Sequence, residues 1–291
     1  FTAPWEPNPA PDLLIAQALL HTKQMKLCPG AHLLPYHHPV ELAHRVAFLD
    51  HLAQGRFMLG IGAGALPSDM RMFNVNAETG ENRQMMLEAL DIMLKLWTSK
   101  EPFEYVGDYW TVNRIDTMLG SLKFHITPFQ KPYPPIGIAG ASPQSESLYF
   151  AGERGFMPMS VALSNSFLAT HWQTVVKGAE KAGREASRND WRITREVYIG
   201  ETDKEARTQA LNSNLGRAYQ EYLLPIYKKY GVLHLLKHQP EVPESDITLE
   251  YLADYTWLVG SPKTVTEKLG QMYEDTGGFG CLLAMTFDQL H

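Results

Sequence analysis

The chain has little cysteine and no long apolar run. Two of its 291 residues are cysteines. Both lie in short apolar runs without neighbouring ligands, so they predict no metal site and indicate reduced core thiols in a cytoplasmic protein. No run approaches the roughly 20 apolar residues that a membrane-spanning helix needs. The first residues also lack the charged and apolar regions of a signal peptide.

Positive charge is also scarce. There are 26 Lys and Arg residues against 32 Asp and Glu, a net charge of −6, and the pI is near 6.0. This balance gives no electrostatic reason to expect nucleic acid or an anionic membrane as a partner. A hydrophobic content of 44% indicates a globular chain with a sizeable core. Because (β/α) barrels fill this length as one domain, we expect a single domain over residues 1–291.

The stretch from Met25 to Pro67 predicts a βαβ unit. Residues 25–34 are a short apolar run typical of a buried strand. From Pro39, apolar residues recur at steps of three and four, which predicts an amphipathic helix, and residues 57–61 read as a second strand. Three glycines then follow at alternate positions, Gly60, Gly62 and Gly64. They either admit a ligand to the backbone or merely form a turn, and the spacing leaves both alternatives open.

The rest of the chain continues this alternation, with strong helical patterns over residues 81–97 and 262–277 and a surface hairpin over 102–112. Roughly six strands alternate with as many helices, which predicts an α/β fold with a parallel sheet and helices outside it. No G-x-G-x-x-G motif opens the chain, and no reversal of strand order can be read from it. A barrel is therefore favoured over an open, doubly wound sheet.

Four segments resemble the bacterial luciferase-like family of flavin-dependent monooxygenases. They are GAHLLPYHHPVELA (residues 30–43), LDHLAQGRFMLGIGAG (49–64), IAGASPQS (138–145) and LVGSPKTVTEKL (258–269). They span almost the whole chain, in the order found in the family. Within the family, the stretches AHLLP, GIGAGA and YLLPIYKKYG are most similar to the two-component enzymes of terpenoid oxidation, the limonene and diketocamphane monooxygenase-like branch.

The resemblance implies a luciferase-like (β/α)8 TIM barrel with FMN at the carboxyl ends of its strands. In the family, two further strands precede the position of Phe1, and a helix follows the last strand. We therefore expect the barrel formed by this chain to be incomplete at both ends. The histidine that is often taken as catalytic in the family would lie upstream of Phe1.

The resemblance also implies the reaction and its partners. Reduced FMN, supplied by a separate flavin reductase, would react with O2 and oxygenate an apolar substrate such as a terpenoid or a cyclic ketone. The chemistry would be epoxidation or Baeyer–Villiger insertion, and the protein would be a homodimer. Two alternatives stay open: an F420-dependent oxidoreductase on the same barrel, and a non-catalytic protein that binds or stores flavin.

The cofactor-binding residues implied by the resemblance fall into two groups. A cis peptide at Gly30-Ala31 would lie beneath the flavin ring, and Gly62 and Ala63 would lie beside it. Some relatives carry Cys and Arg at the latter two positions, so phosphate binding in this chain falls to a loop at a helix N-terminus. Its residues are Gly140, Ala141, Ser142, Gln144 and Ser145. The alternative is that these serines only cap the helix.

One histidine and five apolar residues complete the expected site. His32 would orient the substrate or hydrogen-bond the flavin edge, or else be an ordinary core histidine. The candidates for the substrate pocket are Phe1, Trp5, Met157, Met159 and Tyr222. The two methionines would serve equally well as core residues.

Overall fold

The structure is a computed structural model that describes residues 10–76, 78–115, 126–161 and 163–285. The chain divides into two compact units, residues 1–139 and 140–291. The assignment of one domain to the whole chain stays a prediction.

The first unit carries the predicted βαβ arrangement. Its elements are α1 (Pro11–Leu19), β1 (His32–Leu33), α2 (Pro39–Ala53), β2 (Leu59–Gly62), α3 (Pro67–Met72), α4 (Glu81–Thr98), β3 (Phe103–Val106), β4 (Thr111–Arg114) and β5 (Ile136–Gly140), whose last residue opens the second unit. Strands β1, β2 and β5 pair in parallel in that order. The first strand is shorter than predicted, because Pro29 has no N–H to donate and separates β1 from an isolated bridge at Leu27.

Helix α2 begins at Pro39, as its sequence predicts. His38 is the N-cap, and its Nδ1 accepts a hydrogen bond from the Val40 N–H at 3.3 Å. At the other end, Gln54 and Gly55 both have left-handed backbone conformations, with φ of 50° and 85°. The Trp97 indole on α4 donates to the carbonyl of Ala43 at 3.1 Å, which ties α4 to α2.

One carboxylate of α4, that of Glu88, binds three backbone N–H groups of the β3–β4 turn. Glu88 accepts hydrogen bonds from the backbone N–H groups of Asp108 (2.9 Å), Tyr109 (3.1 Å) and Trp110 (2.9 Å). A Cβ on Gly107 would lie 2.1 Å from a Glu88 carboxylate oxygen, so only glycine leaves room for this arrangement. The conformation of the turn is therefore stabilised by hydrogen bonds to the Glu88 carboxylate.

Replacing Glu88 by Gln is expected to loosen this hairpin. The amide keeps one acceptor oxygen and loses the charge, so the cost should be about 1–2 kcal/mol, since hydrogen bonds to a charged group are stronger than neutral ones. Hydrogen exchange of the backbone amides at 108–110 should accelerate. The control is Glu104→Gln on an exposed position of the same hairpin. Equal exchange rates in the two variants would contradict this role for Glu88.

The second unit continues the alternation of strands and helices. Its elements are α5 (Glu146–Arg154), β6 (Met157–Ser160), α6 (Asn165–Lys181), β7 (Arg192–Ile199), α7 (Asp203–Asn212), α8 (Asn214–Ala218), α9 (Leu224–Lys229), α10 (Leu249–Tyr251), β8 (Leu258–Gly260), α11 (Pro262–Thr276) and β9 (Cys281–Met285). Strand β7 pairs in parallel with β6, β8 and β9. Ser261 caps α11 and Pro262 is its first residue, which is the start that a Ser-Pro pair before a helical pattern predicts.

The sequence predicts one helical stretch from Thr202 to about Tyr230, and the structure divides it. Ser213 has an extended backbone, and its Oγ accepts from the Gly216 N–H at 3.3 Å, which ends α7 and begins α8. A π-helical segment, Tyr219–Leu223, then joins α8 to α9. An internal serine that caps a new helix explains the break.

Helices α5 and α6 are in backbone contact through two glycines. A Cβ on Gly152 would lie 2.0 Å from the carbonyl oxygen of Val175, and one on Gly178 would lie 2.0 Å from that of Tyr149. No side chain fits at either point. This contact fixes α5, and with it the loop before it, against α6.

The expectation that both cysteines are core residues is wrong, because neither is buried. Cys28 is exposed and Cys281 is half-buried, and neither forms a disulfide.

Candidate functional site

In the first unit, the predicted flavin contacts lie beside β1 and β2. The peptide bond between Gly30 and Ala31 is cis, as the resemblance predicts. A Cβ on Gly62 would lie 3.3 Å from the Leu33 side chain and 3.9 Å from that of Ala31. These three residues therefore share one side of the strand pair, which we call the glycine face. On this face Ala31 and Gly62 are buried and Leu33 is half-buried, so contact between these residues and a flavin ring stays a prediction.

The ring of His32 lies on the opposite side of β1 from the glycine face, because successive side chains of a strand alternate. His32 pairs in register with the buried Ile61. Its ring lies 5.7 Å from that of His37, and the charges of Asp12 on α1 and Arg45 on α2 act on it. His32 thus faces the helices, which favours the alternative of a core histidine.

Burial, with a smaller effect of His37, lowers the pKa of His32 to about 4. The ring is therefore neutral at pH 7. It is 2% exposed, and its Nε2 has no hydrogen-bond partner among the described residues. A catalytic role for His32 stays a prediction.

In the second unit, the predicted phosphate loop connects β5 to α5. Ser145 is the N-cap of α5, and its Oγ accepts from the Leu148 N–H at 3.4 Å. A Cβ on Gly140 would lie 2.5 Å from both Ser145 Oγ and Leu148 Cγ, so the loop closes over the helix only with glycine there. Gln144 has a left-handed φ of 50°, which is uncommon for a residue with a side chain.

The donor groups of this loop fit a phosphate. Residues 140–145 contain two serine hydroxyls and no carboxylate, and they precede the positive end of the nine-residue helix α5. Ser142 and Gln144 are exposed, whereas Ser145 is buried and serves as the cap. Ser145 therefore caps the helix, whereas phosphate binding by the exposed Ser142 stays a prediction.

The structure brings two of the predicted pocket residues together. Met157 and Met159 are half-buried on one side of β6, opposite the buried Ser160. Tyr222 lies in the π-helical segment 219–223, a kind of irregularity that is frequent at functional sites. Phe1 and Trp5 lie outside the described residues.

The part of the chain that the structure describes contains no candidate metal site and no candidate membrane span. Within it, no three His, Cys, Asp or Glu side chains are placed to hold a metal ion. No helix in the same residues is long and apolar enough to cross a membrane.

A model of the luciferase-like monooxygenase family matches residues 2–278 of the chain. The chain belongs to the luciferase-like monooxygenase family. Two curated relatives that are similar to this chain are named monooxygenases. 3,6-Diketocamphane 1,6-monooxygenase from Pseudomonas putida is 36% identical over 98% of this chain and 79% of its own length. Limonene 1,2-monooxygenase from Rhodococcus erythropolis is 27% identical over 95% of this chain and 66% of its own length.

Solved structures agree with the family. The oxygenating constituent of 3,6-diketocamphane monooxygenase from Pseudomonas putida, a type II Baeyer–Villiger monooxygenase in complex with FMN, matches with a TM-score of 0.89 and 36% identity, over 98% of this chain and 79% of the solved one. An F420-dependent secondary alcohol dehydrogenase matches with a TM-score of 0.66 at 18% identity, over 94% of this chain and 77% of its own, which shows a shared fold alone. The predicted luciferase-like TIM-barrel fold and flavin-dependent monooxygenase class are confirmed.

Sequence reasoning missed three buried side chains that are joined by hydrogen bonds and reach the predicted phosphate loop through His171: Ser160, His171 and Trp191. The sequence contains one indication of this cluster, which is the position of His171. His171 occupies the buried stripe of α6, between Leu168 and Val175, where an apolar residue is expected.

Proposed function

We propose that this flavin-dependent monooxygenase uses reduced FMN and O2 to insert one oxygen atom into an apolar cyclic ketone or terpenoid. The observation that carries the proposal is the 36% identity, over 98% of the chain, to a Baeyer–Villiger monooxygenase solved with FMN. Bound reduced FMN supplies the electrons with which O2 is activated for transfer of one oxygen atom.

The residues of each unit have separate tasks in this proposal. In the first unit, Gly30, Ala31, Gly62 and Ala63 contact the flavin through backbone and small side chains. In the second unit, the peptide N–H groups of the loop from Gly140 to Ser145 and the hydroxyl of Ser142 bind the phosphate. The close packing of Gly140 against Ser145 and Leu148 supports this task, because a preformed set of donors loses little entropy on binding.

The substrate class follows from the apolar side chains proposed for the pocket. Met157, Met159 and Tyr222 offer apolar surface and one hydroxyl, and Phe1 and Trp5 would add aromatic surface. Such a lining suits a neutral terpenoid or cyclic ketone better than a charged compound. Exclusion of water by these side chains would also protect the activated oxygen from side reactions.

The proposal includes a partner. A separate flavin reductase would deliver reduced FMN by transient contact. Relatives described as an "oxygenase component" and an "oxygenating constituent" support a two-component system. A homodimer in the cytoplasm is proposed from family likeness.

The test supplies purified protein with photochemically reduced FMN and O2, with catalase present to remove free peroxide. The substrates are a bicyclic monoterpene ketone, a terpene alkene and a carboxylate analogue. We expect a lactone from the ketone or an epoxide from the alkene, and no product from the carboxylate. Reduced F420 in place of FMN should give no product, whereas turnover with F420 alone would support the alternative oxidoreductase.

A pair of variants serves as the control for cofactor use. Gly140→Val places its side chain on Ser145 Oγ and Leu148, so FMN-dependent turnover should disappear. Gly270→Ala, where no atom lies within 4 Å of the new Cβ, should keep it. Product formed equally well by both variants, or by reduced FMN without protein, would contradict the proposal.

A further inference from the structure

Three buried side chains connect the interior of the second unit to the predicted phosphate loop. Trp191 Nε1 lies 2.8 Å from Ser160 Oγ, and the same Oγ lies 3.0 Å from His171 Nδ1. His171 Nε2 lies 2.9 Å from the carbonyl oxygen of Ser142, in the loop. Trp191, Ser160 and His171 are each 0% exposed. We refer to these three side chains as the His171 chain.

The direction of every hydrogen bond in the His171 chain is fixed. A carbonyl oxygen only accepts, so His171 Nε2 carries the hydrogen that is donated to Ser142. Burial lowers the pKa of His171 to about 4. The ring is therefore neutral at pH 7, and its Nδ1 accepts from the Ser160 hydroxyl. The indole N–H of Trp191 only donates and completes the donor set around Ser160 Oγ. The tautomer of His171 is thus determined by its surroundings.

The hydrogen bond to Ser142 decides what the loop presents to a ligand. A carbonyl oxygen carries partial negative charge and repels an anion. Because the Ser142 carbonyl oxygen accepts a hydrogen bond from His171, this oxygen does not point toward a ligand. The loop instead presents N–H groups and a hydroxyl to the ligand. Pro143 restricts the backbone of Ser142 further. Gln144 holds a left-handed φ of 50°, which costs about 1 kcal/mol and needs support from the surroundings.

We propose that His171 is a positioning residue for the cofactor phosphate, because it fixes the carbonyl of Ser142 and with it the conformation of the loop from Gly140 to Ser145. This inference rests on the proposed function, in which that loop binds the phosphate of FMN. His171 itself touches neither the cofactor nor the substrate.

The test compares two flavins that differ only in the phosphate. Dissociation constants for FMN and riboflavin are measured by flavin fluorescence quenching at pH 7 for the wild type, His171→Leu and His171→Gln. Leucine removes the donor to Ser142, so FMN should bind about ten- to a hundredfold more weakly while riboflavin binding stays within about twofold. Glutamine carries an N–H close to the position of Nε2 and should recover most of the FMN affinity. His21→Leu, at an exposed histidine, is the control.

A second readout uses the flavin-free protein. Hydrogen exchange of the amides of Ala141, Ser142, Gln144 and Ser145 should be faster in His171→Leu than in the wild type and near the wild-type rate in His171→Gln. If His171→Leu does not fold, Ser160→Ala takes its place, because it removes the hydroxyl that orients His171 Nδ1. The same ratio of FMN to riboflavin dissociation constants is then measured for Ser160→Ala.

The outcomes separate the two proposals. Equal loss of FMN and riboflavin affinity, or no loss of either with unchanged loop exchange, overturns the role of His171 and leaves the proposed function standing. A wild-type protein that binds FMN no better than riboflavin contradicts phosphate binding by the loop and overturns the inference with it.

Discussion

Replacing Gly178 by alanine is expected to lower the free energy of unfolding by about 3 kcal/mol or more. The new Cβ would lie 2.0 Å from the Tyr149 carbonyl oxygen, 2.9 Å from its carbon and 3.0 Å from the Glu153 nitrogen. All three atoms belong to the backbone of α5, so no side-chain rotation relieves the overlap. The helices must move apart, which disrupts the packing along their whole contact.

The matched control for this prediction is Gly270→Ala on α11, where no atom lies within 4 Å of the new Cβ. That variant should be stabilised by up to about 1 kcal/mol, since alanine has the higher helix propensity. Urea unfolding followed by tryptophan fluorescence measures both, because Trp172 and Trp191 lie in the same unit. A Gly178→Ala protein within 1 kcal/mol of the wild type would show that α5 and α6 are not in the close contact described.

Acidification is expected to destabilise the protein through two histidines. His171 and His32 have pKa values of about 4 in the folded state because of burial, against about 6.5 in an unfolded chain. Between these values the unfolded state binds protons that the folded state does not, so stability falls as the pH falls from 6.5 to 4. Each histidine should cost about 2 kcal/mol at pH 5 relative to pH 7.

Urea unfolding at pH 7 and pH 5 measures this loss. In His171→Gln and in His32→Gln, the difference in unfolding free energy between the two pH values should shrink by about 2 kcal/mol each, because glutamine does not titrate. Exposed His21 provides the control, and His21→Gln should retain the full wild-type difference. If the stability of His171→Gln depends on pH as steeply as that of the wild type, this histidine is not buried in its neutral form.

The features that the sequence predicts well are those decided by neighbouring residues. Helix α2 follows from its apolar spacing and from the His38-Pro39 start, and α11 follows from the Ser261-Pro262 cap. The sequence also predicts the loop that begins at Gly140 and the family of the chain, because the motifs that indicate them are contiguous in the chain. The sequence predicts too long a first strand, because the apolar run continues through Pro29, where the hydrogen-bonded ladder is interrupted.

The features that the sequence does not predict depend on packing between distant segments. Ser142 and His171 are 29 positions apart, and their hydrogen bond exists because Gly152 and Gly178 bring α5 against α6. The support of the hairpin by Glu88, 20 to 22 positions away, is of the same kind. His32 adds a third case, since its side of β1 is set by register with β2, and a shift of one residue would have placed it on the glycine face.

The origin of the oxygen atom in the product tests the central claim most directly. The protein is supplied with reduced FMN, a bicyclic monoterpene ketone, isotopically heavy O2 and ordinary water, and the lactone is examined by mass spectrometry. The account predicts one heavy oxygen atom in the lactone. A lactone whose new oxygen comes from water, or no lactone above the amount formed without protein, would contradict it.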